Sequence, residues 1–195
     1  MPRITGPSIA EHVAAQEAAV LASARRLFTE HGVAAVSLGD IAADVGLGRT
    51  SIYRYFPTKA HILQRWFDEE MDPLVARSQA VVDDAAPAAA LRAWLDLQLD
   101  FMADPAHAAL MAASASSGEL PDDVVRHIGA RHRELYASLD PVLRAGGARS
   151  PEVRRTRALL VAGLIRSSAD LVASGADAAG VRRELRRAAA AVVGL

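Results

Sequence analysis

No cysteine occurs in the 195 residues. That excludes disulfides, thiolate metal sites and a cysteine nucleophile together. Lysine is almost missing as well, since Lys59 is the only one among 22 basic side chains. Long apolar runs are absent. The longest, residues 158–165 and 188–195, each contain a glycine and fall far below the roughly 20 residues that a membrane-spanning helix requires. Residues 1–10 hold no basic run followed by an apolar core, so no signal peptide is expected and a cytoplasmic location is the default. No glycine-rich phosphate loop, persuasive carboxylate pair or Ser/His/Asp set is legible, so neither an enzyme nor a cofactor is expected. His127 and His132 are five residues apart and do not share a helix face, while His107 stands alone. Glu119, Asp122 and Asp123 add only a loop start, and no metal site is expected.

What is present is an ordinary globular composition, 51% hydrophobic and 23% charged, which argues against intrinsic disorder. The net charge of −1 excludes a surface that attracts polyanions everywhere. Its distribution is uneven. Residues 66–149 carry 14 acidic and 7 basic side chains, whereas both flanks are mildly basic. Between Asp44 and Asp68, Arg49, Arg54, Lys59 and Arg65 stand with no acid among them, so a contact with phosphate would be local.

Alanine, leucine, arginine and glutamate dominate, and no alternating stretch argues for a strand, so an all-α chain of about nine helices is expected. Ser8 to Glu11 fits a capping box opening a helix that stops at Gly32, with Val20, Ala24, Leu27 and Phe28 on its apolar stripe. Ser37 to Asp40 is a second such start, and Val36 and Ile41 occupy the two hydrophobic-staple positions. A third short helix is expected from Arg49 to about Tyr55, where Pro57 forbids continuation. A fourth runs from about Thr58 to Asp83, with Pro73 expected to kink or split it. Five more follow, broken near residues 104, 117, 146 and 175, and Pro141 is expected to kink the helix over 121–145.

The first three helices, the last two joined by Val45-Gly46-Leu47-Gly48, form a helix-turn-helix unit. The first turn of its last helix, Arg49-Thr50-Ser51, then points outward, followed closely by Tyr53, Arg54 and Tyr55. Long cationic and short hydroxyl side chains are the kinds that reach base edges and phosphates. Lys59 adds its charge at the start of the next helix, where the dipole already favours an anion.

Over Leu21 to Leu63 the sequence resembles the DNA-binding domain of TetR-type transcriptional regulators. The resemblance is carried by Ala24-Arg25-Arg26-Leu27-Phe28, Glu30-His31-Gly32, residues 36–42 (VSLGDIA), Val45-Gly46-Leu47, Ile52-Tyr53, Tyr55-Phe56-Pro57 and Lys59. It implies that Ser37, Thr50, Tyr53, Tyr55 and Lys59 hold the DNA backbone and that Arg49, Ser51 and Arg54 lie closest to the bases. Two positions depart from the family's habit: Gly48 stands where serine is common, and Thr50 where glycine is. Residues 16–19 lack the basic pair often found there, and Arg3 alone could serve a minor-groove arm. The resemblance places a DNA-binding domain at 14–74 and a helical domain for ligand binding and dimerisation at 75–195. It implies a cytoplasmic, homodimeric repressor, released from a palindromic double-stranded operator by a small-molecule effector.

In the larger domain, Leu160, Leu164 and Leu171 form one stripe and Val181, Leu185 and Val192 another, so the last two helices are candidates for a dimer interface. The same stripes could instead close the monomer core. Trp66, Trp94, Gln98, Phe101, Met102, His107, Met111 and Tyr136 are candidates for a ligand pocket, with bulky core filling as the alternative for each. The acidic middle favours cationic or neutral lipophilic ligands over anions. Two further readings stay open: a DNA-binding regulator with no small-molecule ligand, and a helical ligand-binding protein whose helix-turn-helix is only structural.

Overall fold

Helix is the only regular structure among the described residues, as the residue preferences predict. The computed structural model describes residues 9–115 and 117–195. The cap expected at Ser8 and the arm expected at Arg3 lie outside them. The helices are α1 (Ile9–His31), α2 (Leu38–Asp44), α3 (Lys59–Asp83), α4 (Pro87–Met102), α5 (Pro105–Ala115), α6 (Asp122–Ala137), α7 (Asp140–Ala145), α8 (Pro151–Ala173) and α9 (Ala178–Val193), with a 3₁₀ turn at Ile52–Arg54. No described helix is long and apolar enough to cross a membrane.

The described chain forms two compact units. The first takes the residues up to Asp68 together with Ala109–Val125, and the second takes Glu69–Ala108 and Arg126–Leu195. The first division falls inside α3, a few residues before position 74 where the sequence places it. The return of 109–125 to the first unit has no signature in the sequence.

In the first unit, α1 buries Val20, Leu21, Ala24 and Phe28, whose spacing places them on one stripe. Leu27, expected with them, is only half-buried. Ile41 and Ile52 are wholly buried beneath α2 and the 3₁₀ turn. Each such side chain contributes about 1.5–3 kcal/mol, which holds two elements too short to be stable as isolated helices.

The second unit is built on α4, α7, α8 and α9 around Leu91, Trp94, Leu95, Leu139, Leu143, Val161, Ile165 and Leu185. Asp96 on α4 binds Arg182 and Arg186 on α9, with Nη1 of Arg182 3.1 Å from its Oδ1. Desolvation, the largest influence on that carboxyl, pushes its pKa up, but the two guanidinium groups together bring it below the usual range. Near the ends of α7 and α9 two backbones touch. A Cβ on Gly146 would lie 2.0 Å from the Val193 carbonyl oxygen, so only glycine fits. Arg157 Nη1 donates to the carbonyls of both Gly146 and Val193, at 2.8 and 2.6 Å, and fixes that approach.

The two internal prolines behave differently. Pro73 does not split α3. Its cost of about 3 kcal/mol is offset by Met71 and Leu74, both buried on either side of it. At Pro141 the expected kink is a complete break. Proline has no N–H to offer the Ala137 carbonyl, so α6 ends there and Pro141 falls in the first turn of α7.

Candidate nucleic-acid interface

The segment from Gly32 to Lys59 is set by a chain of local devices. Gly32, at φ +78°, ends α1. Ser37 then caps α2: its Oγ accepts from the Asp40 N–H at 3.2 Å, and the Asp40 carboxylate accepts from the Ser37 N–H at 2.8 Å. Val36 and Ile41 are both buried, as the staple requires. At the other end, Leu47 N–H donates to the Ala42 carbonyl at 2.8 Å and Gly46 N–H to that of Ala43 at 3.2 Å. This Schellman closure demands a left-handed residue, and Gly46 supplies it at φ +70°.

Asp44, in the last turn of α2, accepts from Ser23 Oγ and Arg26 Nη2, each at 2.6 Å. The Ser23 hydroxyl, followed by Arg26, holds its carboxyl below the usual range. These bonds brace α2 against α1, and the sequence signal for them, an acid distant in the chain from Ser23 and Arg26, is too weak to read.

The third helix is not the α-helix expected over Arg49–Tyr55. From Gly48 to Tyr55 the bonds run Ser51 to Gly48, Arg54 to Ser51 and Tyr55 to Ile52, at 2.8, 3.2 and 3.0 Å, each spanning three residues, and a closing bond from Phe56 N–H to the Ile52 carbonyl at 2.9 Å spans four. The element is a 3₁₀ turn of Ile52–Arg54 with turns on either side. Length alone does not decide this, since α2 is α-helical over seven residues; the tighter turn goes with the burial of both Ile52 and Phe56.

The candidate side chains sit as follows. Ser37, Arg49, Thr50, Tyr53 and Arg54 are exposed, with Tyr53 at 56%, whereas Ser51, Tyr55 and Lys59 are half-buried. Ser37, Tyr53 and Lys59, with Ala34–Leu38, Pro57 and Thr58, line an open surface depression of about 390 Å³. Lys59 has a second task that its position did not reveal. Its Nζ donates to the Val33 and Val36 carbonyls at 2.5 and 2.7 Å, which ties α3 to the loop ahead of α2. An ammonium carries three N–H bonds, so one remains for an outside acceptor. Close by, Thr58 Oγ1 and His61 Nδ1 share a hydrogen bond of 2.8 Å, and His61 Nε2 lies 3.3 Å from Asp123.

The candidate pocket residues divide between the units. Trp66 is buried in the first, its ring 5.2 Å from the Arg25 guanidinium, and Met111 is exposed there. In the second unit Trp94 Nε1 donates to Ser138 Oγ, and Gln98 Nε2 to Ser78 Oγ, both at 2.9 Å. Those polar atoms are therefore satisfied by the protein itself. The Phe101 and His107 rings lie 4.3 Å apart at a tilt of 44°, Trp94 and Tyr136 lie 6.2 Å apart, and Met102 packs on the core. Burial raises the Tyr136 pKa. His107 is buried, and its Nδ1 has no hydrogen-bond partner among the described residues. His132, which stacks on Tyr136 at 6.4 Å, was not among the candidates.

Of the candidate interface residues, Leu160 and Leu171 are 54% and 52% exposed, and Leu164, Val181 and Val192 are half-buried. Leu185 is spent in the core of its own chain. Leu159, 58% exposed, joins the α8 surface instead.

Residues 20–65 match the family model described as bacterial regulatory proteins, tetR family. The HTH-type transcriptional regulator EthR of Mycolicibacterium smegmatis is 37% identical over 70 residues, which is 36% of this chain and 30% of that protein. The HTH-type transcriptional repressor LfrR of the same species is 36% identical over 87 residues, 42% of this chain and 43% of that one. The chain thus spans less than half the length of these curated relatives. A solved structure of a putative transcriptional regulator from Saccharomonospora viridis, in complex with choline, shares the fold at a TM-score of 0.66 and 19% identity, covering 89% of this chain and 95% of that one. The N-terminal domain of this chain is that of the TetR family of helix-turn-helix regulatory proteins.

Proposed function

We propose that the protein is a sequence-specific DNA-binding transcriptional regulator acting as a homodimer, a repressor that a small molecule releases from its operator. The observation that carries the DNA-binding part is the cationic and hydroxyl set on one short segment. Ser37, Arg49, Thr50, Tyr53 and Arg54 are exposed there, while Ile52 and Phe56 anchor the same turn from beneath. The roles divide as groove recognition requires. Ser37, Thr50, Tyr53, Tyr55 and Lys59 contact the backbone, and Arg49, Ser51 and Arg54 reach base edges.

Two copies, paired through the exposed leucines of α8 together with α9, would present two such turns to the halves of a palindrome. The second unit supplies the effector site. Buried Trp94, Gln98 and His107 beside half-buried Phe101, Met102 and Tyr136 suit a largely apolar ligand with few polar groups, and the acidic middle of the chain favours one that is cationic or neutral. The choline held by the Saccharomonospora viridis regulator belongs to that class.

Release follows from chain connectivity. Helix α3 carries Lys59 in its first turn and continues unbroken to Asp83. Any rotation of α3 on ligand binding pulls the Val33 and Val36 carbonyls with it, and so moves the entry to α2.

The test is binding of the purified chain to a pool of genomic duplex fragments, with excess competitor DNA and at several salt concentrations. Enrichment of a short palindrome supports the reading. Retention no better than competitor overturns it. Unchanged affinity for the recovered palindrome across a panel of cationic and neutral amphiphiles would leave regulation without such a ligand as the better account.

A further inference from the structure

In the second unit the buried side-chain donors of α4 are engaged within the chain. Trp94 Nε1 donates to Ser138 Oγ, whose own hydroxyl donates to the Leu135 carbonyl at 2.5 Å, and Gln98 Nε2 donates to Ser78 Oγ. His107, in the first turn of α5, is the exception. It is only 6% exposed, and its Nδ1 is shut off from solvent with no hydrogen-bond partner among the described residues. A buried polar atom left unpaired is costly, so this nitrogen calls for a group from outside the chain to complete it.

The surroundings narrow what that group is. The Phe101 ring lies 4.3 Å from the imidazole and is itself only half-buried, so the side chain next to His107 reaches solvent. Tyr136, also half-buried, has the Trp94 and His132 rings at 6.2 and 6.4 Å. Aromatic faces at these spacings favour an apolar body. Burial first, and then the charge of His132, push the His107 pKa down against the opposing pull of Asp104, so the ring is neutral at neutral pH. A neutral imidazole has one N–H and one lone pair, and Nδ1 carries one or the other according to the tautomer. A carboxylate only accepts and an ammonium only donates, and each would bring a charge into an apolar surrounding. A hydroxyl donates and accepts, so it completes Nδ1 in either tautomer and brings no charge.

We propose that His107 Nδ1 is the polar anchor of the effector site, and that the effector is a neutral, largely apolar alcohol or phenol whose hydroxyl completes that nitrogen. The inference rests on the effector reading above and narrows its class, from cationic or neutral to neutral with a hydroxyl. With Trp94 Nε1 and Gln98 Nε2 already engaged, a single polar group is what this part of the unit asks for.

The experiment is isothermal titration calorimetry of the full chain with matched probes: thymol against cymene, which differ by one hydroxyl, and octanol against octanoate and octylammonium. The same titrations are run on His107→Phe, which keeps a ring beside Phe101 without Nδ1, and on His107→Asn, whose amide restores a polar atom close to the ring. Circular dichroism checks that each variant is folded, and nitrogen NMR of the wild-type imidazole reads Nδ1 with no substitution at all. The ratio of thymol to cymene affinity should fall by roughly 3- to 10-fold in His107→Phe, the worth of one neutral hydrogen bond, and recover in part in His107→Asn. Octanol should bind more tightly than octanoate or octylammonium, and thymol but not cymene should move the Nδ1 resonance. Three results would overturn the inference and leave the effector reading standing: a ratio unchanged in His107→Phe, octanoate or octylammonium binding more tightly than octanol, or bound thymol that leaves the Nδ1 resonance in place. Should none of the probes bind, the effector reading falls first and this one with it.

Discussion

Replacing Lys59 with methionine keeps most of the aliphatic stem and removes the charge, and two separate consequences follow from the geometry. Within the chain, Nζ bonds to the Val33 and Val36 carbonyls are lost. A hydrogen bond from a charged donor contributes about 1.5–3 kcal/mol, reduced where water can take the donor's place. Lys59 is half-buried, and one of its acceptor residues, Val36, borders an open depression. The pair together should therefore be worth about 1–3 kcal/mol, which in a chain of this size lowers Tm by roughly 2–10 °C. On DNA, the loss of one phosphate contact should reduce the salt slope by about 0.9 without altering the selected sequence. Thermal melting by circular dichroism reads the first effect, and anisotropy titrations over a salt series read the second. Lys59→Met with a wild-type Tm would refute the anchoring role, and a wild-type slope would refute the phosphate contact. The two can fail independently.

Four other outcomes are expected. Gly146→Ala places a methyl where the Val193 carbonyl oxygen already stands, and should cost about 2–4 kcal/mol in chemical denaturation; a change below about 0.5 kcal/mol would contradict the close backbone approach. Asp96→Ala strips Arg182 and Arg186 of their shared acceptor, and should lower stability by about 1–3 kcal/mol, with Asp96→Asn recovering part of it. Burial, with the nearby charge of His132, lowers the His107 pKa, so the unfolded chain binds this proton more readily than the folded one. The stability given by the neutral ring is complete above a pH of about 6.5 and declines as pH falls toward the folded value; a denaturation series should record that decline, and His107→Phe should flatten it. Leu160→Glu with Leu171→Glu should turn a dimer into a monomer in light scattering while leaving the helical spectrum intact. Persistence of the dimer would place the interface elsewhere.

The first unit was legible because its information is local. Ser37, Gly46 and Pro57 act within a few residues of themselves, through a cap, a left-handed turn and a missing N–H, and each left its mark where the spacing put it. The form of the recognition element was not legible. An α-helix and a 3₁₀ turn ask for the same side chains over seven residues, and the choice was made by where Ile52 and Phe56 had to be buried. Proline gave an ambiguous sign: Pro73 and Pro141 carry the same local penalty and both stand between buried side chains, yet α3 continues through the one and the chain breaks at the other.

Long-range pairings were silent. Nothing local announces that Asp44 meets Ser23 and Arg26, that Lys59 reaches back to Val33 and Val36, or that Arg157 closes on Gly146 and Val193. The helical stripe containing Leu185 shows why interface residues are hard to read from periodicity. A stripe records that one face is apolar but not what covers it, and at Leu185 the cover is the chain's own core.

The central claim, recognition of a DNA sequence by the helix-turn-helix, is tested most directly by titrating the chain onto a recovered duplex and a scrambled duplex of equal length at physiological salt. The account predicts that the recovered duplex binds about 10³-fold more tightly or better, with two chains per duplex. Equal affinity for the two duplexes would contradict it.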